Sequence, residues 1–412
     1  MGNMTDGLEL KPLLARRPVF DNFERVFAYD LAVRGPLGGS AFYQEAPPEQ
    51  LIAQIFLDIG IDRVAPGHDV LVTVNRDLLL GDTLPSLPAD RVILQIPTTV
   101  GADAEVAAAC AALAKGGYRL AVHVEDPSKS GALLSVAHVA KFDVTSVGPV
   151  QLLDVAKTLR SYPGRLLATN VRHSSERNAC ATIGFDLFEG YRFSTPETVT
   201  PRELGMDHLN AFRVLNLVRE PTAKDQEIED LLRRDVGLSY KLLRMVNSAA
   251  TGARDIQSIG HALRILGREQ VARWLAILLV TDGNDAGVRA ELVHLALVRA
   301  RMCESMAHVI GGPPARGALF LVGMVSVLDQ LLELPMPDLC EAMKLAPELR
   351  SALVDRAGLL GSVLRMIDAY VAGDWEELRA VSDKLGADPS GLGQSYIDAI
   401  AWASSHGKGA AA

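Results

Sequence analysis

The chain has 412 residues, 49% of them hydrophobic and 22% charged, the balance of a soluble globular protein of two or three domains. Its formal charge of −9, shared almost evenly by the two halves, is not the basic body that phosphate-dominated nucleic-acid binding needs. The longest apolar runs, such as 275–280 and 317–328, fall short of the roughly 20 residues of a membrane helix, and the first residues lack the character of a signal peptide. Cys110, Cys180, Cys303 and Cys340 form no Cys-x-x-Cys pair and read as free thiols of a reducing cytoplasm. A soluble, cytoplasmic protein is expected.

In chain order, the first half alternates short β-branched runs with helical stretches. Strands are predicted at 26–33, 69–75, 91–96, 119–124, 142–147, 165–171 and 187–193, with apolar-periodic helices between them, for example 49–59, 104–114 and 150–159. That many strand–helix repeats in about 190 residues indicate a parallel sheet, and favour a (β/α) barrel over a doubly wound sheet. After Pro196 the β-rich runs stop. Leu238, Leu242, Leu243 and Val246 lie on one helix face, Ser258 is a plausible N-cap for 259–266, and Gly267 a stop before a helix at 268–280. Further helices are predicted at 290–309, 318–332, 339–345, 348–357, 361–372 and 375–385. The organisation expected is a barrel over 12–203, a helical domain over 204–400 and a disordered tail over 401–412.

Several motifs carry a family resemblance. Arg17-Pro-Val-Phe-Asp, Tyr29-Asp-Leu-Ala-Val-Arg34 and Gly184-Phe-Asp-Leu-Phe-Glu-Gly-Tyr-Arg-Phe-Ser-Thr-Pro196 resemble the opening and closing segments of an EAL domain, over roughly residues 12–200. The resemblance implies a TIM-like barrel, whose active members hydrolyse cyclic di-GMP with two divalent metals. Such chemistry needs carboxylates at strand ends to hold the cations and activate water. Here Asp30 stands at the position of the family's first Glu, and Asn75 matches its Asn. Gln95 replaces the next Glu, and His123-Val124 replace the paired Asp-Asp, which Glu125-Asp126 could restore only by a shift of two residues. The family's Lys falls near Thr145, Thr169 replaces a Glu, and Glu189 replaces the Gln before the final Gly. Arg34 matches an Arg after the opening motif and leaves nucleotide binding open. Asp30 and Asn75 also read as strand-end residues satisfied by local hydrogen bonds, and His123 as a hydrogen-bonded structural residue. This ligand set implies no catalytic residue, no metal and no cofactor.

The segments 231–249 and 257–267, with Trp274, resemble the core of an HDOD domain, with Val236 at the family's Pro. Arg299-Ala-Arg-Met-Cys-Glu304, the segment 320–326 and Asp374-Trp375 extend the likeness to the EAL–HDOD two-domain signalling proteins, over about 206–390. Related hydrolases bind metal through a His-Asp pair. His208, His261, His294, His308 and His406 all lack the following Asp, and His68-Asp69 reads as turn chemistry before a barrel strand. Arg244, Asn247, Ser248, Gly267, Trp274, Arg299 and Glu304 are candidates for a partner surface. Capping accounts for much of Asn247, Ser248 and Gly267, an ion-pair network is the preferred reading of Arg244, Arg299 and Glu304, and Trp274 reads more readily as core. A DNA-reading helix is set aside, because only Arg268 and Arg273 stand among Val271, Leu275, Ile277 and Leu278. The expected function is a non-catalytic regulator or scaffold of bacterial signal transduction, acting on other signalling proteins through its helical domain. The alternative is a weak cyclic di-GMP phosphodiesterase or a non-hydrolysing receptor, with cyclic di-GMP given the smaller weight as ligand.

Overall fold

A computed structural model describes residues 13–34, 56, 59–126, 130–190, 206–233, 238–243, 258–281, 287–307 and 316–407, short gaps at 82–83, 85–86, 147–148, 160–161 and 241 aside. Eight strands close a barrel in sequence order: β1 (Leu13–Asp21), β2 (Val26–Arg34), β3 (Asp69–Thr73), β4 (Val92–Ile96), β5 (Arg119–His123), β6 (Val139–Asp143), β7 (Arg165–Thr169) and β8 (Leu187–Glu189). Strands β2 to β8 run parallel; β1 is antiparallel to both β2 and β8.

Sequence periodicity missed β1 as a strand, because Arg16, Arg17 and Pro18 interrupt its apolar run. It also started β6 at 142 rather than at Val139. The strand pairing corrects this, with Ala121 opposite Val139 and Asp143 opposite Thr169.

The barrel interior is built in layers by the two-residue period of the strands. Val19, Ala28, Leu71, Ile93, Ala121, Val139, Leu167 and Leu187, one from each strand, form a separate buried cluster that floors the barrel. The outer faces of the strands join the helices in a second and larger core, which continues into the helical half.

That half holds the Ile259–Thr281, Gly287–Ser305, Arg316–Val325, Gly358–Ala372 and Leu392–Gly407 helices among others. The Gly287–Ser305 helix is buried around most of its circumference and packs on both the Arg316–Val325 and Leu392–Gly407 helices. Its close approach to the former demands Gly323, where a Cβ would lie 2.5 Å from the carbonyl oxygen of Arg299. Gly267, at φ 77°, interrupts the Ile259–Thr281 helix where a stop is predicted. The tail expected to be disordered from 401 is helical through Gly407, since Ala399, Ile400 and Ala403 are fully buried.

The two halves meet along β1. Tyr370 Oη donates to the carbonyl of Leu14 at 2.8 Å, and the Arg16 amide donates to Tyr396 Oη at 3.3 Å. Buried Glu291 accepts from Tyr29 Oη at 2.8 Å and pairs with Arg16 at 3.8 Å. Arg16 in turn donates to the carbonyl of Val64 at 2.6 Å and lies over the Tyr29 ring. The four cysteines are free and buried. No helix among the described residues is long and apolar enough to cross a membrane.

Removing one partner of a buried ion pair strands the other charge, which costs roughly 3–5 kcal/mol. Glu291→Ala is therefore expected to lower the urea midpoint strongly, and Glu291→Gln less, since the amide still accepts from Tyr29. Equal losses in the two variants would contradict this account of the contact.

Candidate functional site

One step of strand period above the apolar floor, each strand presents a polar residue: Arg17, Asp30, Thr73, Gln95, His123, Lys141, Thr169 and Glu189. Asp30, Gln95, Lys141 and Glu189 are all buried. The Lys141 ammonium stands at their centre, 2.6 Å from Asp30 Oδ2, 2.8 Å from Gln95 Oε1 and 2.9 Å from Glu189 Oε2. Gln95 Nε2 donates to Asp30 Oδ1 at 2.6 Å. Arg17 reaches both acids from the rim, each at 3.3 Å.

Two acids thus face two bases, so the layer is neutral overall. Burial works against the charge of Asp30, but Lys141 and Arg17 overcome it and hold the carboxyl at about 2. Glu189 goes the other way, raised by burial and by the neighbouring charge of Asp30. Burial would lower Lys141, yet the two carboxylates raise it. His123 is pushed down to about 4 by burial and by the Lys141 ammonium, so its ring stays neutral at physiological pH.

The lysine in this layer is Lys141, four residues upstream of Thr145, near which the resemblance places the family's lysine. Thr145 is exposed, and its amide and hydroxyl both donate to Asp143, at 2.9 and 2.6 Å. The physical reason is register: β6 ends at Asp143, so Thr145 has the right parity but lies beyond the strand. Asn75 points out of the layer altogether, capping the Arg76–Leu80 helix by accepting from the Leu78 amide at 2.8 Å. Val124 is buried just past the end of β5, and the Thr169 hydroxyl donates to the Phe142 carbonyl at 3.2 Å. The Arg34 side chain lies outside the described residues.

Two divalent cations do not fit this donor set. A cation between Asp30 and Glu189 would have to take the place of the Lys141 ammonium. Among the described residues no three His, Cys, Asp or Glu side chains are grouped to hold a metal ion. Glu125 is exposed and accepts from Thr98 at 3.1 Å instead of joining the layer. His68 is bonded to the carbonyl of Pro66 at 2.9 Å, and Asp69 is paired with Arg119 at 2.7 Å.

Above the layer, an open cavity of about 810 Å³ is lined from both halves of the chain. The barrel supplies Arg17, Asn170, Arg172, His173 and Glu189, and the helical half supplies Arg299, Asp329, Arg356 and Asp368. Its size falls within the roughly 300–1,000 Å³ of small-molecule pockets. Arg172, His173, Arg356 and Asp368 carry no motif signal in the sequence, because nothing local marks residues that meet only when two domains dock.

Of the helical candidates, Arg299 pairs with Asp368, and Glu304, only 1% exposed, is ringed by Arg273, Arg301 and Arg316. Trp274 is buried in the core. Arg244, Asn247 and Ser248 lie outside the described residues.

A closed eight-stranded barrel followed by a helical half accords with the arrangement that the EAL–HDOD resemblance implies, and residues 206–348 match the HDOD domain family. The chain is 25% identical to the uncharacterized protein YuxH of Bacillus subtilis over 95% of its own length and 98% of that protein's. It is 29% identical to the protein named cyclic di-GMP phosphodiesterase CdgJ of Vibrio cholerae, over 94% of this chain and 91% of that one. The structure of the Bacillus subtilis YkuI protein, with an EAL domain in complex with cyclic di-GMP and calcium, aligns at 13% identity and a TM-score of 0.36. That alignment covers 54% of this chain and 71% of the other.

The CdgJ match overturns the expectation that the chain is not an enzyme.

Two outcomes test the polar layer. Lys141→Met leaves Asp30 and Glu189 with Arg17 as their remaining cation, and should cost roughly 3–5 kcal/mol in urea unfolding; a cost below about 1 kcal/mol would show that Lys141 does not neutralise them. For His123, the folded value near 4 lies below the ordinary 6.5. Between those values the unfolded chain binds the extra proton, so stability falls as the pH drops from about 6.5 to 4. Replacing His123 with Gln should flatten that slope, measured as urea midpoint against pH.

Proposed function

We propose that this chain works in cyclic di-GMP signalling, taking the dinucleotide at the barrel mouth and passing its occupancy to the HDOD domain and through it to other signalling proteins. The single observation that carries the reading is the cavity above the polar layer. It is large enough for a dinucleotide, rimmed by arginines from both halves, and floored by a neutral, hydrogen-bonded set of buried groups. Arginine is suited to a phosphodiester because its planar fork of donors matches two phosphate oxygens. The near full-length similarity to a protein named as a cyclic di-GMP phosphodiesterase supports the same ligand, to which the sequence reading gave the smaller weight.

That similarity also favours a second reading, weak phosphodiester hydrolysis at the same mouth. The donor set derives no metal-assisted step, so the activity is put forward as slow, with the buried acids Asp30 and Glu189 as the residues to test. For the HDOD domain, the proposed role is output by protein contact.

Calorimetry of the full chain with cyclic di-GMP should show saturable one-to-one binding. Chromatography of the same mixture in Mg²⁺ or Mn²⁺ should show slow formation of the linear dinucleotide, reduced at least about tenfold by Asp30→Asn. Absence of binding at several hundred micromolar ligand, with no product over hours, would refute the proposal.

A further inference from the structure

The roof of the mouth is electrostatically closed upon itself. Arg299 and Arg356, from the Gly287–Ser305 helix and from just ahead of the Gly358–Ala372 helix, converge on one carboxylate, that of Asp368. Arg356 Nε is 2.9 Å from Asp368 Oδ2, and Arg356 also donates to the carbonyl of Leu353. Arg299 is 8% exposed, on a helix whose backbone packs closely against Gly323. Asp329 lies in the same wall and is raised by burial despite the nearby arginines. All four side chains line the cavity whose opposite wall is Arg17, Arg172 and His173 of the barrel.

Two guanidinium groups thus converge on the Asp368 carboxylate, with Asp329 in the same wall, and Asp368, a third exposed, is the component that can leave. We propose that Asp368 is a resident counter-ion for an anion site shared by the two domains, and that a phosphodiester bound at the barrel mouth replaces it on Arg299 and Arg356. The inference rests on the cyclic di-GMP reading above and deepens it by naming how the helical domain senses the ligand. An empty mouth leaves Arg356 bonded to Asp368 within the helical half. A filled one ties the same arginine to an anion held by the barrel, so occupancy changes the contact between domains. Differential contact of this kind is what lets a ligand shift a conformational equilibrium.

The test uses the full chain with cyclic di-GMP as the probe, titrated by calorimetry for the wild type, Asp368→Asn, Arg356→Ala and Arg356→Lys. Circular dichroism and thermal melts confirm that each variant is folded. Removing the competing carboxylate should tighten binding about tenfold, and Arg356→Ala should weaken it about tenfold, with Arg356→Lys between the two. Binding by Asp368→Asn where the wild type shows none would support the inference equally. Wild-type binding that all three variants reproduce within twofold would overturn this inference alone and leave the cyclic di-GMP reading standing. No binding by the wild type or by Asp368→Asn would overturn both.

Discussion

The structure turns on one buried ammonium. Lys141 stands inside a closed barrel with two carboxylates and an amide around it, and each of these groups would be costly there without the others. Below it the barrel is sealed by apolar side chains, so no water reaches the layer from that side. The alternation of β-strand side chains makes this possible, because the same eight strands that supply the floor supply the polar layer two residues away. The charges of the layer therefore depend on one another, Lys141 on its acids and the acids on Lys141 and Arg17.

The same strands link the site to the helical half. β1 presents Arg17 inward to the acids and Arg16 outward to Glu291, so one strand connects the polar layer with the domain contact. Its backbone is held by two tyrosines from the helices, Tyr370 and Tyr396. The helical half also supplies the roof over the barrel mouth, which makes the cavity a property of the assembled chain. A ligand there would meet both domains at once, the geometric requirement for a sensor that must change what its partner domain does.

Much of the fold was legible from residue pattern. Seven of the strands, the change of character near residue 205 and the stop at Gly267 follow from period, β-branching and glycine, all of which act locally. The likeness of the two halves to EAL and HDOD domains rested on short motifs, and the HDOD match and the relatives accord with it. The site was legible only in part. Of the residues matched to the family's metal-site positions, Asp30, Gln95, His123, Thr169 and Glu189 share one layer, whereas Asn75 caps a helix and Val124 and Thr145 sit beyond their strands. Lys141 went unnoticed although Val139, two residues before it, faces the barrel floor.

The sequence by itself determined the order of strands and helices and which residue types the barrel mouth could contain. These depend on interactions between residues a few positions apart. Only the tertiary structure decided that Lys141 takes the centre of the layer, that Arg16 and Arg17 face opposite sides of a strand no pattern revealed, and that Arg299, Arg356 and Asp368 close over the mouth. Those choices depend on register between strands and on the docking of helices far apart in the chain, where burial decides which charges must meet.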